Sequence, residues 1–79
     1  MNGNDLCKKF LEAGWWGVPC WVSFYSEQDA LERKNCQFII EFDKEFGHFM
    51  GDDVGQYEYV IPFNPKTAQP YTENDIQPT

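Results

Sequence analysis

The clearest strand signal in the chain is the run Cys36-Gln37-Phe38-Ile39-Ile40-Glu41-Phe42-Asp43. Successive side chains of a strand point to opposite faces of its sheet. The alternation therefore predicts a core face formed by Phe38, Ile40 and Phe42, with Ile39 on the opposite face beside the polar residues. A strand with one apolar face needs neighbouring strands and a covering layer.

Three further stretches are predicted to pair with this strand. Residues 20–25 and 56–63 alternate in the same way, and residues 48–50 follow a predicted turn at 44–47. Because most connections are short, we expect antiparallel pairing. The side chains predicted to form the core face of the strands are Val22, Phe24, Phe38, Ile40, Phe42, Tyr57, Tyr59 and Ile61.

One helix is predicted ahead of the strands, over residues 4–13. Asn4 is suited to cap it and Gly14 to end it, and its apolar side chains recur at helical spacing. Residues 26–35 fit either a short helix or a long hairpin loop. The fold class predicted is therefore α+β, with one N-terminal helix packed on a small antiparallel sheet of three or four strands.

The chain length predicts a single domain. With 79 residues there is room for one core, and the aromatic content of 18% supplies large side chains to fill it. We assign the domain to residues 1–63. Residues 64–79 are Pro-rich and lose the periodic pattern, so we expect an extended tail in which Tyr71 and Ile76 are the available anchors.

The negative charge is concentrated in the middle of the chain. The net charge is −7, and residues 36–63 hold six acidic side chains against Lys44 alone, a net of −5. These six are Glu41, Asp43, Glu45, Asp52, Asp53 and Glu58. On the polar face and turns of one sheet they would form a patch that attracts a Lys/Arg-rich protein surface. The alternative is a solvated face whose charge serves solubility.

Four aromatic side chains remain once the predicted core is assigned. They are Trp15, Trp16, Trp21 and Tyr25. Because Trp and Tyr are enriched at binding hot spots, we predict that these four bind a partner together with the six acidic residues. The alternatives are packing at the edge of the sheet or a homodimer interface, so we expect either a monomer or a homodimer.

No motif in the sequence predicts catalysis, a cofactor or a metal site. His48 is the single histidine, and it and the cysteines Cys7, Cys20 and Cys36 are each more than ten residues apart, unlike the paired ligands of structural zinc sites. There is no EF-hand loop, Gly-rich phosphate loop, nucleophile elbow or HExxH. We therefore expect a protein that is not an enzyme.

The cellular setting is predicted from charge, cysteines and the N-terminus. A surface this negative repels nucleic-acid phosphates and anionic membranes, so we expect direct binding to neither. The cysteine count is odd and no secretory signal is visible, which predicts free thiols and a cytoplasmic location (the host cytoplasm if the protein is phage-encoded).

These observations favour a small acidic inhibitor that binds another protein and occludes its basic, nucleic-acid-binding surface as a nucleic-acid mimic. In size and charge the chain resembles phage and plasmid proteins that disable host defence, of which anti-CRISPR and anti-restriction proteins are the nearest classes. The resemblance is one of composition, without a shared motif. The alternatives are an antitoxin or immunity protein that neutralises a basic toxin, an accessory subunit of a larger assembly, or a redox or metal-binding module.

Overall fold

Two α-helices and six strands form over residues 1–76, the part of the chain that this computed structural model describes. The helices are α1 (Gly3–Glu12) and α2 (Glu27–Leu31). The strands are β1 (Val18–Ser23), β2 (Cys36–Asp43), β3 (His48–Gly51), β4 (Gln56–Tyr57), β5 (Tyr59–Asn64) and β6 (Gln69–Pro70). A 3₁₀ turn follows at Glu73–Asp75. Residues 77–79 of the predicted tail lie outside the described part.

All the strands belong to one antiparallel sheet with the order β4-β3-β2-β1-β5-β6. The α+β class, the N-terminal helix and the antiparallel pairing are confirmed. The predicted count of three or four strands is wrong, since the described residues contain six. The predicted strand 56–63 is divided into β4 and β5, and the segment that follows supplies β6.

The sheet is strongly coiled, because Glu58 alone joins β4 to β5. These two strands are first and fifth in the sheet, which in a flat sheet would separate them by about 19 Å, four spacings of about 4.8 Å. Two residues with one residue between them are at most about 7 Å apart. The end of β4 must therefore approach the start of β5, and the sheet bends toward a half-closed barrel.

A β-bulge in β2 changes the side chains that reach the core. The pairing of β2 with β3 shifts between Ile39 and Glu41, and Ile40 is the extra residue. A bulge shifts the alternation by one position. Ile39 is fully buried and Phe42 packs against the core, while Ile40 is 42% exposed. The prediction that Phe38 and Ile40 face the core was therefore wrong: Phe38 lies on the opposite face, one residue before Ile39.

The break at Glu58 has a similar effect on the last strands. Tyr57 is buried in the main core before the break. After the break, the next side chain buried in that core is Val60. Ile61 is buried on the opposite face of the sheet and Tyr59 is half-buried, so neither occupies the predicted core face.

Two residues near the end of β1, Val22 and Phe24, were predicted to lie in the core, and the prediction is confirmed only for Val22. Val22 is buried in the main core. Phe24, by contrast, is 57% exposed because β1 ends at Ser23, one residue before it.

Helix α1 covers the inner face of the sheet. Its Leu6, Cys7 and Phe10 are buried against residues of β1, β2, β3 and β5. The cap is Asn2, whose side chain accepts a hydrogen bond from the backbone N–H of Asp5. The predicted cap, Asn4, has a different contact.

Asn4 joins the first turn of α1 to the sheet. Its Oδ1 accepts from the Val60 backbone N–H at 2.9 Å, and its Nδ2 donates to the Glu58 backbone carbonyl at 2.9 Å. Asn4 therefore holds the helix to the point where β4 passes into β5.

Helix α2 packs on the outer face of the sheet, which settles the alternative left open for residues 26–35. Ser26 caps this helix by accepting from the Asp29 backbone N–H. Beneath α2, a second buried cluster is formed by Trp21, Ala30 and Ile61, with Phe63 packed against it.

The segment after β5 folds back onto the domain as far as Ile76. Tyr71 donates its backbone N–H to the Pro62 carbonyl, and its ring lies 5.2 Å from that of Phe10. Ile76 packs against the main core, and Lys9 pairs with Glu73 at 2.7 Å. Tyr71 and Ile76, the two expected anchors, both contact the core. Among residues 1–76 there is no helix with the length and apolar character that a membrane span requires.

Candidate protein-binding surfaces

Four of the six acidic residues singled out in the sequence lie on the β2–β3 hairpin or beside it. Asp43 pairs with His48 across the hairpin, and Glu58 Oε1 lies 3.6 Å from His48 Nε2. Glu41 and Glu45 lie two positions before and after Asp43. We call Glu41, Asp43, Glu45 and Glu58 the hairpin acids.

The other two, Asp52 and Asp53, lie at the opposite end of β3, in the turn that leads to β4. We call them the turn aspartates. Strand β3 has four residues, so about 10 Å of strand separates Asp43, which faces His48, from the turn aspartates, while Glu41 lies between them opposite Met50. The hairpin acids and the turn aspartates therefore follow one another along the length of β3.

None of these six carboxylates lies within ion-pairing distance of a lysine or arginine of residues 1–76. Four of the cations are engaged elsewhere. Lys9 pairs with Glu73, Lys34 with Asp29 and Glu32, while Lys8 lies over the Phe42 ring and Arg33 over the Trp21 ring. The six carboxylates thus form no salt bridge with a lysine or arginine of residues 1–76, although Lys44 follows Asp43 in the turn and His48 lies beside Glu58.

Asp43 and Asp53 also have structural roles in their turns. Asp43 Oδ1 accepts from the backbone N–H groups of Glu45 and Phe46 at 2.9 and 3.3 Å. Asp53 Oδ1 accepts from the Gly55 backbone N–H at 3.0 Å, and its Oδ2 accepts from the Tyr57 hydroxyl at 2.7 Å. Asn and Asp often stabilise turns in this way. These hydrogen bonds hold the two charges at fixed positions.

The Tyr57–Asp53 hydrogen bond also changes the ionisation of both groups. The hydroxyl of Tyr57 lowers the pKa of Asp53 below its ordinary 3.8. Burial, assisted by the bond to Asp53 and by the charge of Asp52, raises the pKa of Tyr57 to about 12. Asp53 is therefore negative and Tyr57 neutral at physiological pH.

The four aromatic residues singled out in the sequence have different surroundings. Trp16 is 79% exposed and Tyr25 is 80% exposed. They lie at opposite ends of β1, because Trp16 precedes that strand and Tyr25 follows it. These are the two that are open to a partner over a large part of their surface.

Trp15 and Trp21 pack within the domain. The Trp15 ring lies 4.4 Å from that of Phe10 and contacts Tyr71. Trp21 is 5% exposed, stacked parallel on Phe63 with the ring centroids 4.3 Å apart. Both tryptophans therefore contribute to stability.

Phe24 and Phe46 are exposed aromatic residues that the sequence reasoning missed as binding candidates. Phe46, at the tip of the hairpin, is 68% exposed with its ring stacked on that of His48 at 6.5 Å. The position of Phe46 inside a predicted turn indicated its exposure, because side chains in turns are seldom buried. Phe24 was assigned to the core because β1 was expected to continue through residue 25.

A small cavity opens where β1 ends. Its volume is about 180 Å³. The residues that line it are Val22, Ser23, Phe24, Tyr25, Asp29, Asn35, Gln37 and Tyr57. We call it the β1-end cavity. It combines aromatic rings with a carboxylate and two side-chain amides, which suits polar recognition better than apolar burial.

The cysteines and acidic residues do not assemble a metal site in residues 1–76, where no group of three or more His, Cys, Asp and Glu side chains has suitable placement. Cys7 and Cys20 are buried with their Sγ atoms 3.8 Å apart, and burial raises the pKa of the Cys20 thiol. Cys36 is exposed. A buried thiol with a raised pKa is a poor nucleophile at neutral pH.

Comparison of the chain with protein-family models, with curated proteins and with solved structures gave no match in any of the three.

Proposed function

We propose that this protein is a small protein-binding inhibitor that occludes a basic, nucleic-acid-binding surface of a partner, in the manner of counter-defence proteins from phages and mobile elements. One observation carries the proposal: the six carboxylates of residues 36–63 have no lysine or arginine partner within residues 1–76. Neutralising them is left to solvent ions or to a partner.

The distribution of the charges supports a partner with an extended cationic surface. Asp43 and the turn aspartates lie near the two ends of β3 with Glu41 between them, and hydrogen bonds fix Asp43 in one group and Asp53 in the other. Charges fixed before binding cost less conformational entropy to bury. A groove that binds nucleic acid carries cations along its length, and two spaced acidic groups suit such a surface.

Exposed aromatic rings supply the apolar part of the proposed interface. Phe46 adjoins the hairpin acids, and Trp16 is 79% exposed near the start of β1. Aromatic anchors among charged residues are common in protein interfaces. The proposal assigns no catalytic residue and no cofactor, and it places the protein in the cytoplasm of the cell whose machinery it blocks.

The proposal is tested by partner capture with two charge-matched variants. The double variant Glu41→Gln/Glu45→Gln removes two exposed hairpin acids. The control Glu32→Gln/Glu73→Gln removes two exposed carboxylates elsewhere, so both variants change the net charge from −7 to −5. We expect wild type and control to capture the same protein from a lysate, and excess double-stranded oligonucleotide to displace it.

For the hairpin variant we expect the affinity for that protein to fall about tenfold, equivalent to about 1.4 kcal/mol. Equal affinities for all three proteins would contradict the role of the hairpin acids. A partner that oligonucleotide does not displace would favour the alternative of an antitoxin or immunity protein whose target is a basic toxin.

A further inference from the structure

The β1-end cavity has an aromatic wall. The Phe24 and Tyr57 rings lie 5.2 Å apart and are tilted by 30°. Tyr57 is nearly buried, whereas Phe24 is 57% exposed and Tyr25 is 80% exposed. Aromatic side chains at a cavity mouth with this much free surface offer ring faces to an incoming group.

The polar lining of the cavity supplies hydrogen-bond acceptors from one carboxylate and two side-chain amides. Asp29 Oδ2 accepts from the Ser23 hydroxyl at 2.7 Å, and this bond lowers the pKa of Asp29, so the residue is negative at neutral pH. No hydrogen bond within residues 1–76 occupies the side-chain amide of Asn35 or Gln37. Their carbonyl oxygens are therefore available to a donor from outside.

Two carboxylates and one ammonium group lie in or beside the cavity. No lysine or arginine lines it, although Lys34 Nζ approaches Asp29 Oδ1 to 3.5 Å from a side chain that is 62% exposed. Asp53, one of the turn aspartates, binds the hydroxyl of Tyr57 in the wall. The two carboxylates outnumber the one ammonium group, which favours a cation over an anion, and an apolar group would leave the carboxylate and amide oxygens unpaired.

We propose that the β1-end cavity receives an arginine side chain of the basic partner, with the guanidinium against the aromatic wall and its N–H groups directed to Asp29, Asn35 and Gln37. This inference rests on the proposed function, whose partner it describes more closely. Arginine suits the site better than lysine because its planar guanidinium stacks on rings and presents several donors at once. The chain uses the same contact internally, where Arg33 lies 4.2 Å from the centroid of a Trp21 ring.

The test uses two small probes and nuclear magnetic resonance of the isotope-labelled full chain. The probes are N-acetyl-arginine amide and N-acetyl-citrulline amide, which have similar shapes but differ in charge. We expect the arginine probe to shift the amide signals of residues 23–25, 35–37 and 57, and the citrulline probe to bind about tenfold more weakly or not at all.

Two exposed aromatic residues provide the matched variants. Tyr25→Ala removes part of the cavity mouth, and we expect it to weaken binding of the arginine probe about threefold to fivefold. Trp16→Ala removes a similarly exposed ring at the other end of β1, outside the cavity, and serves as the control for the small probe only; although Trp16 belongs to the proposed interface with the partner, this variant is expected to bind the arginine probe as wild type does. Equal binding of the two probes, equal effects of the two variants, or shifts located away from the cavity would overturn the assignment.

Failure of this inference can be distinguished from failure of the proposed function. If Tyr25→Ala binds both the probe and the captured partner as wild type does, while Glu41→Gln/Glu45→Gln loses the partner, then the cavity is not an arginine site and the proposed function stands. If the probe binds as expected but oligonucleotide does not displace the partner, the arginine site stands and the proposed function fails.

Discussion

At the scale of single residues, the Tyr57–Asp53 pair gives the most direct test of the fold. Burial and this hydrogen bond raise the pKa of Tyr57 from 10.0 to about 12, so the pair contributes stability that is fully present below pH 10. That contribution is lost as the pH rises through about 12.

We expect tyrosinate absorbance to show an ionisation near pH 12 that Tyr57→Phe abolishes and Asp53→Asn moves to lower pH. Ionisation of Tyr57 at its ordinary pKa of 10 in the folded wild-type protein would show that the hydroxyl is neither buried nor bonded as described.

The β2 bulge leads to a second prediction, that substitutions at two neighbouring isoleucines differ in their effect on stability. Ile39 is fully buried and Ile40 is 42% exposed. Ile39→Ala is therefore expected to lower the free energy of unfolding by about 2–5 kcal/mol, and Ile40→Ala by less than about 1 kcal/mol. Urea unfolding of both variants measures the difference. The opposite order would mean that the strand has no bulge at this position.

At the scale of secondary-structure elements, local pattern was enough to locate α1, β1, β2 and the hairpin turn. The side chains that each strand directs to the core were harder to predict. The bulge at Ile40 depends on how β2 pairs with β3, and the break at Glu58 depends on β5 pairing with β1. Neither the bulge nor the break can be predicted from the alternation of residues within one strand. For this reason Phe38, Ile40 and Ile61 were placed on the wrong face.

The element that follows β5 yields a further expectation. Tyr71 is half-buried on Phe10 and Trp15, so Tyr71→Ala is expected to lower the free energy of unfolding by about 1–3 kcal/mol. Gln69→Ala, at an exposed position of the same segment, is expected to change it by less than about 0.5 kcal/mol. Thermal unfolding of both variants is the measurement. Equal stability of the two would mean that residues 64–76 contribute no packing to the domain.

At the scale of the whole molecule, the six carboxylates that lack a lysine or arginine partner within residues 1–76 are expected to lower the free energy of unfolding. Like charges that lack partners repel one another in the compact state, and salt screens that repulsion. We expect Glu41→Gln/Glu45→Gln to unfold at the same temperature as wild type or higher at low ionic strength, with the difference shrinking as salt is added. A variant that is less stable than wild type would show that these glutamates support the fold.

The charge concentration itself was readable from the sequence, but its division into two groups was not. Counting residues placed all six acidic side chains in residues 36–63. Their separation depends on the length of β3, and the meeting of Glu58 with His48 depends on β4 pairing beside β3. The β1-end cavity was also beyond sequence reasoning, because the coiling of the sheet brings Phe24 to Tyr57.

The salt dependence of partner affinity tests most directly whether the unpaired carboxylates are a binding surface for a cationic partner. With the captured partner, the dissociation constant is measured across a range of salt concentrations for wild type, Glu41→Gln/Glu45→Gln and the control Glu32→Gln/Glu73→Gln. We expect affinity to fall as salt rises, with the same slope for wild type and control and a shallower slope for the hairpin variant. Equal slopes for all three proteins, or an affinity that does not change with salt, would contradict this explanation of the charge.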